Sequence, residues 1–154
     1  MAEGNIKIVA RNRKARHEYF IEDTYEAGIV LRGTEIKSVR AGQVSLQEAY
    51  VAMERGEAWL LGAHIAPYDP ASDMNHDPTR PRKLLLTRKQ LDTLSQLVQQ
   101  RGYTIVPLSM YLTHGLAKLE IATARGKRKY DKRRKIKERE AQRQIERALA
   151  RRQR

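Results

Sequence analysis

The chain has 154 residues, with 31 Lys+Arg against 18 Asp+Glu and no cysteine. That length predicts one domain with a sizeable core, and the lack of cysteine excludes disulfides and thiolate metal sites. A formal net charge of +13 points to a polyanionic partner, nucleic acid ahead of an anionic membrane surface.

In chain order, residues 7–16 (KIVARNRKAR) hold five basic side chains and no acid. Residues 18–32 read as strand, bend and strand, with Gly28 a bulge or close-packing point. The next segment predicts a short helix with Thr34 as cap, Ile36 and Val39 on one face, and Gly42 past its end. Residues 49–54 and 57–65 flank Arg55-Gly56, a hairpin signal. Residues 66–83 carry four of the five prolines and read as a long polar loop. A helix is expected from Arg88 to Arg101, opened by a Thr87/Gln90 capping box, striped by Leu91, Leu94, Leu97 and Val98, and stopped by Gly102. Residues 103–112 and 116–123 predict a hairpin about His114-Gly115, with Leu119, Ile121 and Thr123 on its buried face. About six short strands with two or three helices make the expected class mainly β, a small closed or partly open antiparallel barrel of the oligonucleotide-binding (OB-fold-like) kind. Trp59 and Tyr103 are expected in its core.

Charge divides the chain. Residues 125–154 contain 15 of the basic and 4 of the acidic residues, a net of +11, which leaves residues 1–124 at +2. The expected organisation is therefore a nearly neutral RNA-binding barrel, 1–124, and a basic tail, 125–154. Residues 125–135 are almost all charged or glycine, a composition that does not fold alone. From Ile136 the tail is helix-friendly but has only a thin apolar stripe, so it is expected to be disordered when free and helical against a partner. About 17 helical residues would span ~25 Å.

A second basic run, residues 80–89, also has five basic residues and no acid. Together with residues 7–16 it would make a phosphate-tracking patch if the fold joined them. The four histidines are isolated, Asp69, Asp73 and Asp77 lie in a Pro-broken loop, and neither a phosphate-cradling Gly-rich loop nor a nucleophile elbow is present. A binding protein is expected rather than an enzyme, with no metal and no cofactor. No run approaches the ~18 apolar residues of a membrane span, and residues 1–20 lack the apolar core of a signal peptide. A cytoplasmic protein without membrane contact is expected. Charge alone leaves open a structural ribosomal protein whose basic tail threads rRNA.

Four segments in order carry a resemblance: ARHEYFIEDTYEAG (15–28), L-x-G-T-E-I-K-S-V-R-A-G (31–42), DPTRPRKLLL (77–86) and GKRKYDKR followed by IKERE (126–140). Over roughly residues 6–140 the chain resembles the small protein B (SsrA-binding protein) family, the partner of transfer-messenger RNA in trans-translation. The resemblance implies an OB-fold-like barrel that grips the tRNA-like part of that RNA, as a monomer in a 1:1 complex. It also implies entry into stalled ribosomes, indirectly with elongation factor Tu on the alanyl-charged RNA, followed by tagging of the nascent chain for degradation. By position, Asn12, Glu26 and Leu85 would contact the tRNA-like elbow, with Arg13, Lys14, Arg16, Lys37 and Arg40 on phosphates. Gly126, Lys127, Tyr130, Asp131, Lys132 and Arg133 would meet the decoding centre, and Ile136 and Lys137 would begin a helix in the empty mRNA channel. Tyr130 stands where relatives carry His or Tyr, suited to stacking on a base. Ala141 stands where some relatives carry a large aromatic, a departure from the pattern of the resemblance.

Overall fold

The structure, a computed structural model, describes residues 6–68, 75–127, 143 and 147. Among these are strands β1 (Lys7–Arg11), β2 (Tyr19–Ile29), β3 (Val44–Ser45), β4 (Tyr50–Glu54), β5 (Glu57–Leu61), β6 (His64–Ile65), β7 (Arg82–Leu85), β8 (Tyr103–Thr113) and β9 (Leu116–Gly126). The helices are α1 (Arg13–Glu18), α2 (Gly33–Arg40) and α3 (Arg88–Val98). Strands β8, β4, β5, β7, β2 and β9 pair antiparallel in that order, and β9 pairs back to β8, so the sheet closes on itself. β1 adds to the β8 edge beside β4, and β3 with β6 makes a separate ribbon. The class is the expected one, mainly β and OB-fold-like, with three helices among the described residues.

Both X-Gly pairs turn as expected. Arg55 and Gly56 have φ of 53° and 77°, and His114 and Gly115 have 50° and 77°. Two successive positive φ values match the right-handed twist of the flanking strands, which is why such pairs join hairpins. At Gly62 (φ +75°) a Cβ would stand 2.4 Å from the Glu48 carbonyl oxygen, so only glycine passes there.

The ring is filled by residues under 2% exposed, among them Leu46, Leu60, Ile65, Leu84, Ile105 and Met110. α3 adds Leu91 and Leu94, and its capping box is present: Thr87 Oγ1 accepts from the Gln90 N–H at 3.2 Å, and Gln90 Oε1 accepts from the Thr87 N–H at 3.1 Å. The helix stops at Val98, three residues before the expected end, where the chain tightens into a turn with the Gln100 N–H on the Leu97 carbonyl at 3.0 Å, ahead of Gly102 at φ +89°. Within residues 18–32 there is one strand rather than two, β2 from Tyr19 to Ile29, with a register shift between Ile21 and Thr24. Thr34 is not the cap of α2. The cap position is Arg32, whose N–H donates to Glu35 Oε1 at 2.8 Å, while the Thr34 hydroxyl meets His76 Nδ1 at 2.8 Å. His76 Nε2 lies 2.9 Å from the Ile65 carbonyl, which can only accept, so in the neutral ring Nε2 carries the proton and Nδ1 accepts from Thr34.

Trp59 and Tyr103 are not in the core. Ala58 and Leu60 are fully buried, and strand alternation then turns Trp59 outward, half-buried. Tyr103 is half-buried beneath Arg125, whose guanidinium carbon lies 5.7 Å from the ring centre.

Part of the second basic run also turns inward. Arg82 is 0% exposed. Its Nε donates to Glu35 Oε2 at 2.6 Å, and its other nitrogens hold the Ala63 carbonyl at 2.9 Å and the Pro78 carbonyl at 3.0 Å. Arg80 donates from Nε (3.1 Å) and Nη2 to Glu35 Oε1. Lys83 and Arg88 pair with Glu57 and Asp92. Two of the run's five cations, Arg80 and Arg82, thus pin the 77–82 turn to α2.

Candidate nucleic-acid interface

The first basic run builds a surface. Its residues form β1 and α1, and α1 lies over the outer face of β8 and β9. Ala15 packs there on a small second core of Val106, Leu108, Ala122 and Ala124. Asn12 makes the turn between β1 and α1 possible. It is 3% exposed, its Oδ1 caps the Ala15 N–H at 3.2 Å, its Nδ2 donates to the Pro107 carbonyl at 2.9 Å, and its backbone N–H donates to the Leu108 carbonyl at 2.8 Å. The β8 register shifts between Pro107 and Ser109, freeing those carbonyls from the ladder for Asn12. The Asn12 side chain is engaged within the fold at both of its ends.

Beside α1 opens a cleft of about 290 Å³, walled by Arg11, Arg13 and Arg16 on one side and Ser109 and Glu120 on the other. Arg16 reaches Glu120 at 3.8 Å, with both side chains substantially exposed. Lys14 points elsewhere, to Glu48 at 3.1 Å. Its hydrogen bond and charge pairing with Glu48 raise the ammonium pKa above its ordinary value.

Strand register continues this face from α1 toward β7. Ser109, Glu120 and Glu26 lie in one row across β8, β9 and β2. Tyr111, Lys118, Gly28 and Leu85 form the next row, ending on β7. Glu26 and Gly28 share one face of β2, so Leu85 stands diagonal to Glu26. Leu85 is 53% exposed because it lies over a glycine, where a Cβ would stand 3.2 Å from the Leu85 Cβ. Exposed Glu26 accepts a hydrogen bond from the Tyr111 hydroxyl.

The structure therefore brings Arg13, Arg16, Glu26 and Leu85 to one continuous face, with Asn12 beneath it. Lys37 and Arg40 are exposed on α2, which packs on β6 rather than on the strands under α1. Lys37 Nζ lies 5.2 Å from the Tyr68 ring centre. Gly126 ends β9 opposite Tyr19, so the strand runs two residues into the basic tail. Lys127 lies 5.2 Å over the Phe20 ring, and its Nζ donates to the Arg16 carbonyl at 3.4 Å. The tail thus leaves the body at the end of α1. Arg143 and Arg147 are exposed helical residues; the expectations at Tyr130, Asp131, Lys132, Arg133, Ile136, Lys137 and Ala141 lie outside the described residues.

Sequence reasoning passed over Tyr111, Glu120 and Arg11, whose place on this face depends on strand register. Among the described residues no group of three or more His, Asp or Glu is arranged to hold a metal ion. None of the described helices is long and apolar enough to cross a membrane.

A small closed antiparallel ring, with an arginine-bearing helix on its outer face and a strongly cationic extension, defines an OB-fold-like nucleic-acid-binding protein. The model of the SmpB protein family matches residues 9–151. The chain belongs to that family. It is 58% identical over 152 residues to the SsrA-binding protein of Roseiflexus castenholzii (97% of this chain, 96% of the relative) and 54% identical over 154 residues to that of Halothermothrix orenii (100% and 99%). A solved chain described as "tmRNA-SmpB: a journey to the center of the bacterial ribosome" is 47% identical, with a TM-score of 0.66, over 80% of this chain and 85% of that one.

Proposed function

We infer that this chain binds the tRNA-like domain of transfer-messenger RNA and delivers it to stalled ribosomes, where the nascent chain is tagged for degradation. It works by binding and not by catalysis, in the cytoplasm, with the ribosome as second partner. The observation that carries this reading is the outer face that sets Glu26 and Leu85 diagonal to one another beside the arginines of α1. An RNA elbow exposes unstacked bases and sugars as well as phosphates. Arg13 and Arg16 suit the phosphates, Leu85 the face or edge of a base, and Glu26 a base amino group or a 2′-hydroxyl. Asn12 contributes by holding α1 in place, since its side chain is engaged at both ends. Lys14, Lys37 and Arg40 act as peripheral phosphate contacts. The tail, with Lys127 as its anchored root, reaches the decoding centre through Gly126 to Arg133 and the empty message channel from Ile136 onward.

Glu26→Ala tests the face. A hydrogen bond to a charged acceptor contributes about 1.5–3 kcal/mol, so the variant is expected to bind the tRNA-like domain about 10- to 100-fold more weakly in a filter-binding titration, with an unchanged melting temperature. Unchanged affinity would remove Glu26 from the interface.

A further inference from the structure

Glu26 and Glu120 sit directly opposite each other on β2 and β9. Like charges so placed destabilise a sheet, so the arrangement serves something other than the fold. Each acid has its own partner: Arg16 lies 3.8 Å from Glu120, and the Tyr111 hydroxyl donates to Glu26 Oε2. Tyr111 is on β8, separated from β2 by the intervening β9, and only 9% exposed. Its ring therefore reaches across one strand to hold a carboxylate that is itself exposed. Gly28, next to Glu26 on the same face, adds no side chain to obstruct that reach.

We propose that Tyr111 is a positioning residue for RNA recognition: its hydroxyl fixes the Glu26 carboxylate so that Oε1 faces outward as an acceptor for a single RNA amino or hydroxyl donor. This rests on the reading of Glu26 as an RNA contact. Oε1 has no donor among the described residues. A glutamate held in one rotamer loses less side-chain entropy on binding than a free one. Burial, and then the hydrogen bond to Glu26, push the Tyr111 phenol above its ordinary value of 10.0, so it remains a donor at physiological pH.

The test is a double-mutant cycle on the full chain, read as affinity for the tRNA-like domain of transfer-messenger RNA. Tyr111→Phe is expected to weaken binding about fivefold, the scale of ordering one side chain that the hydroxyl no longer holds, with its melting curve confirming the fold. In a Glu26→Ala background the same substitution is expected to change affinity by less than about twofold, because nothing remains to be positioned. A Tyr111→Phe loss of equal size in both backgrounds would make Tyr111 a packing residue and overturn the proposal, as would no loss in the otherwise unaltered chain. If Glu26→Ala alone leaves affinity unchanged, the RNA contact itself falls, and the positioning role with it.

Discussion

A chain ending at Lys127 is expected to bind transfer-messenger RNA within about threefold of the full chain at physiological salt, yet to tag no stalled nascent chains. The cut removes 13 basic and 4 acidic residues, while every residue assigned to the tRNA-like elbow lies on β2, on β7 or at the start of α1. Charges more than about 8 Å from a phosphate are largely screened at that salt, so a tail that contacts the ribosome and not the tRNA-like domain adds little to specific affinity. At low salt the loss grows, because the tail's lysines and arginines also release counterions. Keeping Lys127 leaves the end of α1 intact, since its ammonium sits on the Phe20 ring and the Arg16 carbonyl. The measurement pairs a binding titration with a tagging assay on a message lacking a stop codon. A truncated chain that lost binding by more than about 30-fold would show that body and tail do not divide the work, and one that still tagged would show that the tail does not read the channel.

Glu35→Gln is expected to cost about 3–5 kcal/mol, the penalty for leaving a buried charge without its partner. Glu35 and Arg82 are both 0% exposed, and Arg82 also ties the Ala63 and Pro78 carbonyls together. For a body of this size that corresponds to a melting temperature about 10–20 °C lower. The pH dependence has a definite sign. Burial opposes ionisation of Glu35, but hydrogen bonds from Arg80, the Arg32 N–H and Arg82 outweigh it and hold the carboxyl below its ordinary value of 4.5. A lowered folded pKa gives stability that is complete above the unfolded value and lost as pH falls through the folded one. The gap between the natural chain and Glu35→Gln should therefore be full at pH 7 and narrow steadily below about pH 4.5. A gap independent of pH would mean that Glu35 is not ionised in the folded protein.

What was legible in the sequence followed local rules. The hairpins at Arg55-Gly56 and His114-Gly115 and the Thr87/Gln90 box each depend on residues within four positions of one another, and all three form. Helix α1 was not legible as a helix. RKARHE has no apolar stripe, and its single buried residue, Ala15, finds its partners on β8 and β9, about a hundred residues away. The inward turn of Arg80 and Arg82 was hidden for the same reason. A run of five cations reads as surface, and the acid that draws two of them in, Glu35, belongs to a different element. Trp59 was misjudged because size suggested core, whereas the flanking Ala58 and Leu60 set the alternation that faces it outward. The interface itself was legible only by resemblance. Nothing in composition or spacing joins Glu26 to Leu85; the β2–β7 register does. The tail's charge was plain, but the contacts proposed for it beyond Lys127 lie on a partner's surface, which this chain's sequence does not encode.

The most direct measurement is to purify the full chain from cells at moderate salt and sequence the RNA that comes with it. Transfer-messenger RNA at about one molecule per protein is the expected result, and it should persist when ribosomes are removed. Ribosomal RNA in stoichiometric amount with no enrichment of transfer-messenger RNA would contradict it, and would make the chain a structural component of the ribosome with the same cationic tail.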